Sequence, residues 1–134
     1  MRIITFGTFD LFHIGHLNII KRCKNYNNED NYLIVGISSD KLNYDKKQRG
    51  PIIPEDQRLE ILKNLKQVDE VFIEESLEQK LEYCLKYKVD LLIMGDDHLH
   101  KFDFLKNNDI NVVYLNRTED ISTTDIINMI KKNN

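Results

Sequence analysis

The chain is poor in the residues that mark secreted, zinc-binding and membrane proteins. It has two cysteines among 134 residues, and Cys23 and Cys84 form neither a CxxC pair nor the spacing of a disulfide framework. No CxxC or HExxH pattern accompanies its four histidines, so we do not expect structural zinc. No apolar run approaches the length of a membrane span, and Met1-Arg2-Ile3 leads into a predicted strand without a signal peptide. We therefore expect a cytoplasmic protein with reduced thiols.

Net charge and composition exclude further classes of protein. The formal net charge of −3 provides no basic surface for nucleic acid, and we find no internal repeat or domain-separating linker. With 41% hydrophobic and 31% charged residues, the composition is typical of a globular protein with one core. We predict a single domain over residues 1–134 that neither binds nucleic acid nor inserts into a membrane.

Short apolar runs alternate with amphipathic stretches, which predicts repeated β-α units. Runs such as 32–37 and 91–94 are apolar at nearly every position, as strands buried on both faces should be. The predicted fold is therefore α/β, a Rossmann-like doubly wound parallel five-stranded sheet with helices on both faces. The predicted strands are 2–6, 32–38, 70–73, 90–94 and 111–115, the predicted helices are 15–26, 55–66, 76–88, 101–107 and 123–132, and the main polar loops are 25–31 and 43–54.

Two histidines, His13 and His16, lie where the first predicted strand turns into a helix. The first turn of a helix presents free N–H groups and the positive end of the dipole, so it attracts an anion. Imidazoles add hydrogen-bond donors, Gly15 lets a phosphate approach the backbone, and Thr8 and Asp10 supply polar groups beside the turn. Alternatively, the imidazoles only cap the helix, in which case their loss would affect stability more than rate.

A second polar segment follows the last predicted strand. Ser122-Thr123-Thr124-Asp125 fits the capping box that starts a helix, and Arg117 supplies a guanidinium that can pair with phosphate. Ligands of open parallel sheets bind beyond the carboxyl ends of the strands, where the strand order reverses. Because both polar segments follow strands at that edge, we expect one nucleotide to contact both.

The segment Gly7-Thr8-Phe9-Asp10-Leu11-Phe12-His13-Ile14-Gly15-His16 resembles the HxGH signature of the nucleotidylyltransferase superfamily, in the form carried by cytidylyltransferases. Arg117-Thr118-Glu119-Asp120-Ile121-Ser122-Thr123-Thr124 is similar to the RTxGISTT motif of that family. The two motifs are separated by nearly the whole chain, as in the small glycerol-3-phosphate cytidylyltransferases. Between them, Met94-Gly95-Asp96-Asp97 and Lys101-Phe102-Asp103-Phe104-Leu105 also resemble this subgroup.

The resemblance implies transfer of a cytidylyl group from CTP to a small phosphomonoester with release of pyrophosphate. Glycerol 3-phosphate is the favoured acceptor, giving CDP-glycerol, a precursor of teichoic acid or another surface polymer; phosphocholine, phosphoethanolamine and sugar phosphates stay open. The ending Ile121-Ser122-Thr123-Thr124 lacks the later arginine of adenylyl-transferring relatives, which favours CTP. The resemblance also implies Mg²⁺ held mainly by the triphosphate, without a metal site of protein residues, and a homodimer. A non-catalytic CTP-binding sensor is the alternative from another class.

The resemblance also assigns roles to individual residues. It implies that the catalytic residues are His13, His16, Lys46 and Arg117, and that the acceptor-binding residues are Lys46, Arg58, Lys66 and Lys80. For Lys66 and Lys80, an exposed position on a helix is the structural alternative. The implied nucleotide-binding residues are Thr8, Phe9, Asp10, His13, Ile14, Gly15, His16, Lys47, Gly95, Asp97, Arg117, Thr118, Glu119, Ile121, Ser122, Thr123 and Thr124.

The loop after the second predicted strand carries a cluster of cations. Taken alone, residues 45–50 are more often a solvated loop than a site. Their position at the sheet edge that also carries His13 favours contact with phosphate, and the resemblance places a catalytic or acceptor-binding lysine here. We favour Lys46 for this role, although which of Lys46, Lys47 and Arg49 is catalytic is left open.

Besides Lys66, which replaces an expected arginine, three positions depart from the family pattern. Asp120 occupies a position where the family usually has glycine, which places a negative charge beside the expected triphosphate. His98 and Leu77 stand where close relatives often have tryptophan. We expect the first departure to bear on nucleotide affinity and the other two on the choice of acceptor.

Overall fold

A computed structural model describes residues 1–47, 49–117 and 122–133, with the backbone alone at 46 and 47. The strands are β1 (Arg2–Gly7), β2 (Tyr32–Ser38), β3 (Glu70–Glu74), β4 (Leu91–Gly95) and β5 (Asn111–Leu115). The α-helices are α1 (Ile14–Lys24), α2 (Asp40–Lys47), α3 (Glu55–Lys63), α4 (Lys80–Lys86) and α5 (Thr123–Lys132). Short 3₁₀ turns cover Tyr26–Asn28, Leu77–Gln79, Asp96–His98 and Asp103–Asn108.

The five strands form one parallel sheet in the order β3-β2-β1-β4-β5. The central strand β1 pairs with β2 from Arg2 opposite Tyr32 to Gly7 opposite Ile37, and with β4 where Ile3 faces Leu91. The chain moves outward in one direction from β1 to β3 and then in the other through β4 and β5. The strand order therefore reverses between β1 and β4, and the predicted doubly wound α/β fold is confirmed.

Each face of the sheet packs into its own apolar layer. On one face, Leu33 of β2 belongs to a buried cluster with Ile20 of α1 and Leu62 of α3. The next residue, Ile34, points to the other face and is buried in a second cluster with Cys84 of α4. Because helices cover both faces, the strand interiors are apolar at consecutive positions. In the part of the chain that the structure describes, no helix combines the length and apolarity needed to cross a membrane.

The helices depart from the sequence predictions more than the strands do. Residues 40–47 form α2, where the sequence predicted that a polar loop begins at residue 43. The segment lacks an apolar stripe, and its start depends instead on the Ser39 hydroxyl, which accepts a hydrogen bond from the Leu42 amide (3.0 Å). Predicted helix 55–66 ends at Lys63, predicted helix 76–88 begins as a 3₁₀ turn, and predicted helix 101–107 is a 3₁₀ helix at Asp103–Asn108.

A buried ion pair joins α4 to the end of β3. Lys80 and Glu74 are 3% and 1% exposed and their side chains form a salt bridge. The Lys80 ammonium also lies 4.1 Å from the centre of the Phe6 ring and 5.5 Å from that of Phe102, where aromatic faces add favourable electrostatics. The pair therefore fixes α4 against the carboxyl end of the sheet.

We expect Lys80→Met to lower the free energy of unfolding by about 3–5 kcal/mol, because it leaves the Glu74 carboxylate buried without its cation. The matched control is Lys66→Met, which changes an exposed lysine in the turn after α3 and should stay within about 0.5 kcal/mol of the wild type. Urea denaturation followed by circular dichroism measures both. Equal unfolding midpoints for the two variants would contradict the stabilising role of the pair.

Candidate active site

A cleft of about 390 Å³ opens at the carboxyl edge of the sheet, at the switch point between β1 and β4. The ends of these strands, Thr5–Gly7 and Met94–Gly95, form part of its lining. The rest comes from the turn before α1, from α1 itself and Asn43 of α2, from Arg49–Pro51, from the residues that follow β4 and β5, and from the start of α5. The structure thus brings together the two polar segments that the sequence placed at this edge, in a cavity of a size suited to a small-molecule ligand.

The imidazoles of His13 and His16 are stacked, with ring centroids 3.7 Å apart. His13 is the N-cap of α1, and its Nδ1 accepts a hydrogen bond from the Gly15 amide (3.0 Å). Nδ1 of His16 accepts one from the His13 amide (3.2 Å). A ring nitrogen that accepts carries no proton, so each neutral ring carries its proton on Nε2. The turn therefore orients both side chains as Nε2–H donors.

Both histidines are held in the neutral form. Burial lowers the pKa of His16 to about 3, with a further lowering by His13 and an opposing effect of Asp10. Burial, followed by the charge of Arg117, also lowers the pKa of His13. Nε2 of His13 is buried and has no hydrogen-bond partner among the described residues. Because an unpaired buried donor is unfavourable, an anionic oxygen in the cleft would stabilise it.

Phe9 supports the ring of His16 from within the same turn. The two rings meet edge to face with centroids 5.4 Å apart. Phe9 adopts a left-handed φ of 54°, and its ring fills the space above Gly7, where an added Cβ would lie 2.9 Å from the nearest ring carbon. Glycine is therefore required at position 7 as long as the Phe9 ring occupies this place.

Arg117 and the N-terminus of α5 form another part of the cleft lining. The Ser122 hydroxyl caps this helix by accepting a hydrogen bond from the Asp125 amide (3.0 Å). Thr123 Oγ1 donates to the carbonyl of Asp10 (2.8 Å). This bond connects α5 to the histidine turn, which comprises residues 8–13 between β1 and α1. The hydroxyls and free amides at this helix start provide an anion site beside a guanidinium. Residues Thr118, Glu119, Asp120 and Ile121, to which the sequence analysis gave roles, lie outside the described residues.

Comparison with known proteins identifies the family. The family model described as Cytidylyltransferase-like matches residues 4–130. This chain belongs to the cytidylyltransferase-like family. It is 44% identical over 125 residues to the glycerol-3-phosphate cytidylyltransferase of Bacillus subtilis (strain 168), which covers 93% of each chain. It is 40% identical over 125 residues to the protein of that name from Staphylococcus aureus (strain NCTC 8325 / PS 47), over 93% of this chain and 91% of the relative.

The fold is also similar to a solved structure described as the lipopolysaccharide core biosynthesis protein from Thermoplasma volcanium GSS1. The TM-score is 0.76 at 22% identity, over 89% of this chain and 98% of that one. At this identity the likeness concerns the fold alone. The resemblance to cytidylyltransferases seen in the sequence motifs is confirmed by the family match and by the two relatives at 44% and 40% identity.

Most of the nucleotide-binding residues predicted for this cytidylyltransferase-like chain line the cleft. Ile14 follows the N-cap of α1 with an exposed side chain. Of the three loop cations, Arg49 lines the cleft, while Lys46 and Lys47 end α2 with side chains outside the description. The predicted residues that line the cleft are Thr8, Phe9, Asp10, His13, Gly15, His16, Gly95, Asp97, Arg117, Ser122, Thr123 and Thr124.

Arg58 lies beneath the cleft, which corrects its predicted contact with the acceptor. Its side chain is fully buried and donates to the carbonyls of Ile53, Thr8 and Ser38, each at 2.8 Å. Its second terminal nitrogen pairs with the Asp40 carboxylate (2.7 Å). The guanidinium therefore satisfies carbonyl groups at the ends of β1 and β2 and links them to α2, instead of facing a substrate.

Lys66 and Lys80 also differ from their predicted places. Because α3 ends at Lys63, Lys66 is not on a helix two turns beyond Arg58 but in the turn that leads to the amino end of β3, opposite the cleft. Lys80 is neither an exposed helix lysine nor a lining residue; it is buried with Glu74 against Phe6, which itself lines the cleft. Neither lysine is among the residues that line the cleft.

Several polar side chains of the cleft were missed by the sequence analysis. Asn18 and Arg22 lie three and seven positions after Gly15 on α1 and line the cleft with it, so helical spacing from Gly15 could have found them. Asn43 accepts a hydrogen bond from the Thr8 hydroxyl (2.8 Å), and no signal marked it because α2 was not predicted. His98, singled out only for a missing tryptophan, also lines the cleft.

Among the described residues, the Asp97 carboxylate is suited to contact a magnesium ion that is bound to a polyphosphate. Asp97 lines the cleft with a side chain that is half exposed, and carboxylate oxygens are ligands that Mg²⁺ prefers. In the described ranges, no three His, Cys, Asp or Glu side chains form a group that could hold a metal ion by themselves.

The lowered pKa of His16 makes stability depend on pH. The unfolded chain takes up a proton on this ring near pH 6.5, whereas the folded chain does so only at about pH 3. Between these values the unfolded state binds more protons, so the free energy of unfolding falls as the pH drops below 6.5. We expect the wild type to lose on the order of 2 kcal/mol more stability than His16→Gln between pH 7 and pH 5.

Glutamine at this helix position can keep the hydrogen bond to the His13 amide but does not titrate. Urea denaturation of both proteins at the two pH values measures the difference. Parallel losses of stability would contradict a neutral His16 in the folded protein.

Proposed function

We propose that the protein transfers a cytidylyl group from CTP to glycerol 3-phosphate, giving CDP-glycerol and pyrophosphate. The observation that carries the proposal is the meeting of two oriented Nε2–H donors, His13 and His16, with Arg117 and the start of α5 in one cleft. The choice of substrates is supported by the relatives at 44% and 40% identity, both named glycerol-3-phosphate cytidylyltransferase.

In the proposed reaction, a phosphate oxygen of glycerol 3-phosphate forms a bond to the α-phosphorus of CTP. The bond from the α-phosphorus to the bridging oxygen breaks, and pyrophosphate leaves with the electron pair. No covalent enzyme intermediate is required, so the protein acts by positioning and by stabilising charge. The amides at the start of α5 and the hydroxyls of Ser122 and Thr124 receive the β- and γ-phosphates, and Arg117 pairs with their oxygens.

His13 and His16 donate to phosphate oxygens whose negative charge grows as the reaction proceeds. Since Nδ1 of each ring is occupied by a backbone amide, the donors are in place before the substrate binds. Such preorganised donors stabilise the transition state without reorganising during the reaction. The Nε2 of His13, buried without a partner among the described residues, is suited to this role.

We propose Lys46 as the catalytic lysine and Arg49, which lines the cleft, as a further phosphate contact. Magnesium, when bound with CTP, neutralises part of the triphosphate charge, and Asp97 is the residue that would contact it. The CDP-glycerol formed would supply glycerol phosphate units for a surface polymer.

We also propose that the protein works in the cytoplasm as a homodimer. Its two cysteines are buried free thiols, and burial raises the pKa of Cys23 to about 12, which suits a reducing compartment. Exposed Met129 and Ile130 of α5 give apolar surface for a second copy. Sedimentation equilibrium tests the assembly.

The caps and the catalytic donors can be separated by substitution. His13→Asn and His16→Gln retain oxygen acceptors for the turn but remove the imidazole Nε2–H. We expect each variant to lose about 100- to 1000-fold in kcat, as is typical when a transition-state donor is removed, with a fall in stability below about 1 kcal/mol. Pyrophosphate release from CTP with glycerol 3-phosphate and magnesium measures the rate.

The controls are ATP in place of CTP, and phosphocholine, phosphoethanolamine and a sugar phosphate in place of glycerol 3-phosphate. Wild-type turnover that is specific to CTP and glycerol 3-phosphate is the expected result. Binding of CTP without pyrophosphate release for any acceptor would instead indicate a sensor. Variants with normal rates and reduced stability would reduce the histidines to helix caps.

A further inference from the structure

Asp10 was expected to contact the nucleotide, but both of its carboxylate oxygens are occupied elsewhere. The residue is 4% exposed. Its Oδ2 accepts a hydrogen bond from the Ile52 amide (2.7 Å) and its Oδ1 accepts one from the Ile53 amide (2.8 Å). These short bonds to a charged acceptor belong to the stronger class of protein hydrogen bonds. The carboxylate therefore joins the histidine turn to a segment about forty residues further along the chain.

The segment that Asp10 holds forms one wall of the cleft. Arg49, Gly50 and Pro51 line the cleft directly before the anchored amides. The Ile52 side chain is 57% exposed, so its burial contributes little to holding the segment in place. The two amide hydrogen bonds to Asp10 are thus a principal attachment of this wall.

Asp10 is also connected to the start of α5, which forms another part of the cleft lining. Its carbonyl accepts the hydrogen bond from Thr123 Oγ1 at the start of α5. On either side of it, Phe9 and Leu11 have left-handed φ angles of 54° and 48°, which are unfavourable for such residues. The contacts of Asp10 compensate for this backbone strain, because without them the turn would relax toward more favourable angles.

From this geometry we propose that Asp10 is a positioning residue, which holds the Arg49–Pro51 wall against the histidine turn so that its cation meets the bound triphosphate. The inference rests on the proposed nucleotidyl transfer. It means that the Asp10 carboxylate binds backbone amides of the protein and not the substrate. Loss of the anchor should displace the wall without unfolding the domain.

Asp10→Asn tests the proposal, because the amide keeps one acceptor oxygen but turns an NH₂ donor toward the second backbone amide. We expect kcat/KM for CTP to fall about 100-fold, the effect of displacing a contact by roughly 1 Å. We also expect trypsin to cleave after Arg49 at least about tenfold faster under native conditions. Mass spectrometry identifies the fragment that begins at Gly50, and circular dichroism confirms the fold.

The matched control is Asp56→Asn, which changes an exposed carboxylate in the first turn of α3. It should leave both the cleavage rate and kcat/KM unchanged. A second pair of variants approaches the anchor from the other side: Ile52→Pro removes the amide donor, whereas Ile52→Ala shortens an exposed side chain and keeps that donor. The first should reproduce the effects of Asp10→Asn and the second should not.

In the double variant Asp10→Asn/Ile52→Pro, the losses in kcat/KM should be less than additive, because both changes break the same hydrogen bond. Additive losses would overturn the proposal. So would a fall in kcat/KM with unchanged cleavage after Arg49, which would mean that the carboxylate acts on the substrate directly, and so would wild-type behaviour of all variants.

The experiment still tests the anchor if one of the proteins does not fold or shows no turnover. If Asp10→Asn does not fold, the comparison of Ile52→Pro with Ile52→Ala decides. If the wild type shows no turnover, the proposed function fails, but the cleavage rates still show whether Asp10 holds the segment.

Discussion

The fully buried guanidinium of Arg58 is the interaction on which the functional end of the sheet depends. Burying a cation is costly unless it is paired and hydrogen-bonded, and Arg58 meets this condition with three carbonyls and the Asp40 carboxylate. Two of these carbonyls belong to Thr8, which directly follows β1, and to Ser38, which is the last residue of β2. Strand ends that would otherwise be unpaired are thereby held beside each other. The histidine turn and α2 both begin from this fixed point.

The cleft separates neutral hydrogen-bond donors from charged groups. His13 and His16 contribute directed N–H groups without charge over the neutral pH range, while positive charge comes from arginines and from the start of α5. A cationic imidazole pair would repel itself at a centroid distance of 3.7 Å. Burial and backbone contacts therefore allow two stacked rings to act together on one anion.

The strands and the two motifs could be predicted from the sequence because both depend on local patterns. Apolar runs placed every strand, with its ends within one residue of those observed. Helix α2 could not be found in this way, because its sequence is polar and its start depends on Ser39 and on contacts distant in the chain. Helix α3 was predicted too long for a related reason, since periodicity does not show where tertiary packing ends.

The roles of Arg58 and Lys80 were unpredictable for another reason. An arginine or lysine on a helix is normally exposed, and nothing local shows that carbonyls at two strand ends, or Glu74, will require it inside. The reverse holds for Asn18 and Arg22, whose sequence pattern is that of ordinary helix-surface residues but which line the cleft. Assignments that depend on the placement of one element against another need the structure.

The ring of Phe9 above Gly7 links two sequence positions that look independent. A side chain at position 7 would displace the ring, and a displaced ring would no longer support His16. A smaller residue at position 9 would accept a side chain at position 7, but it would leave His16 without its edge contact. A substitution at either position alone therefore weakens the support of His16. Any evolutionary replacement of this pair must include an intermediate sequence in which His16 is less well held.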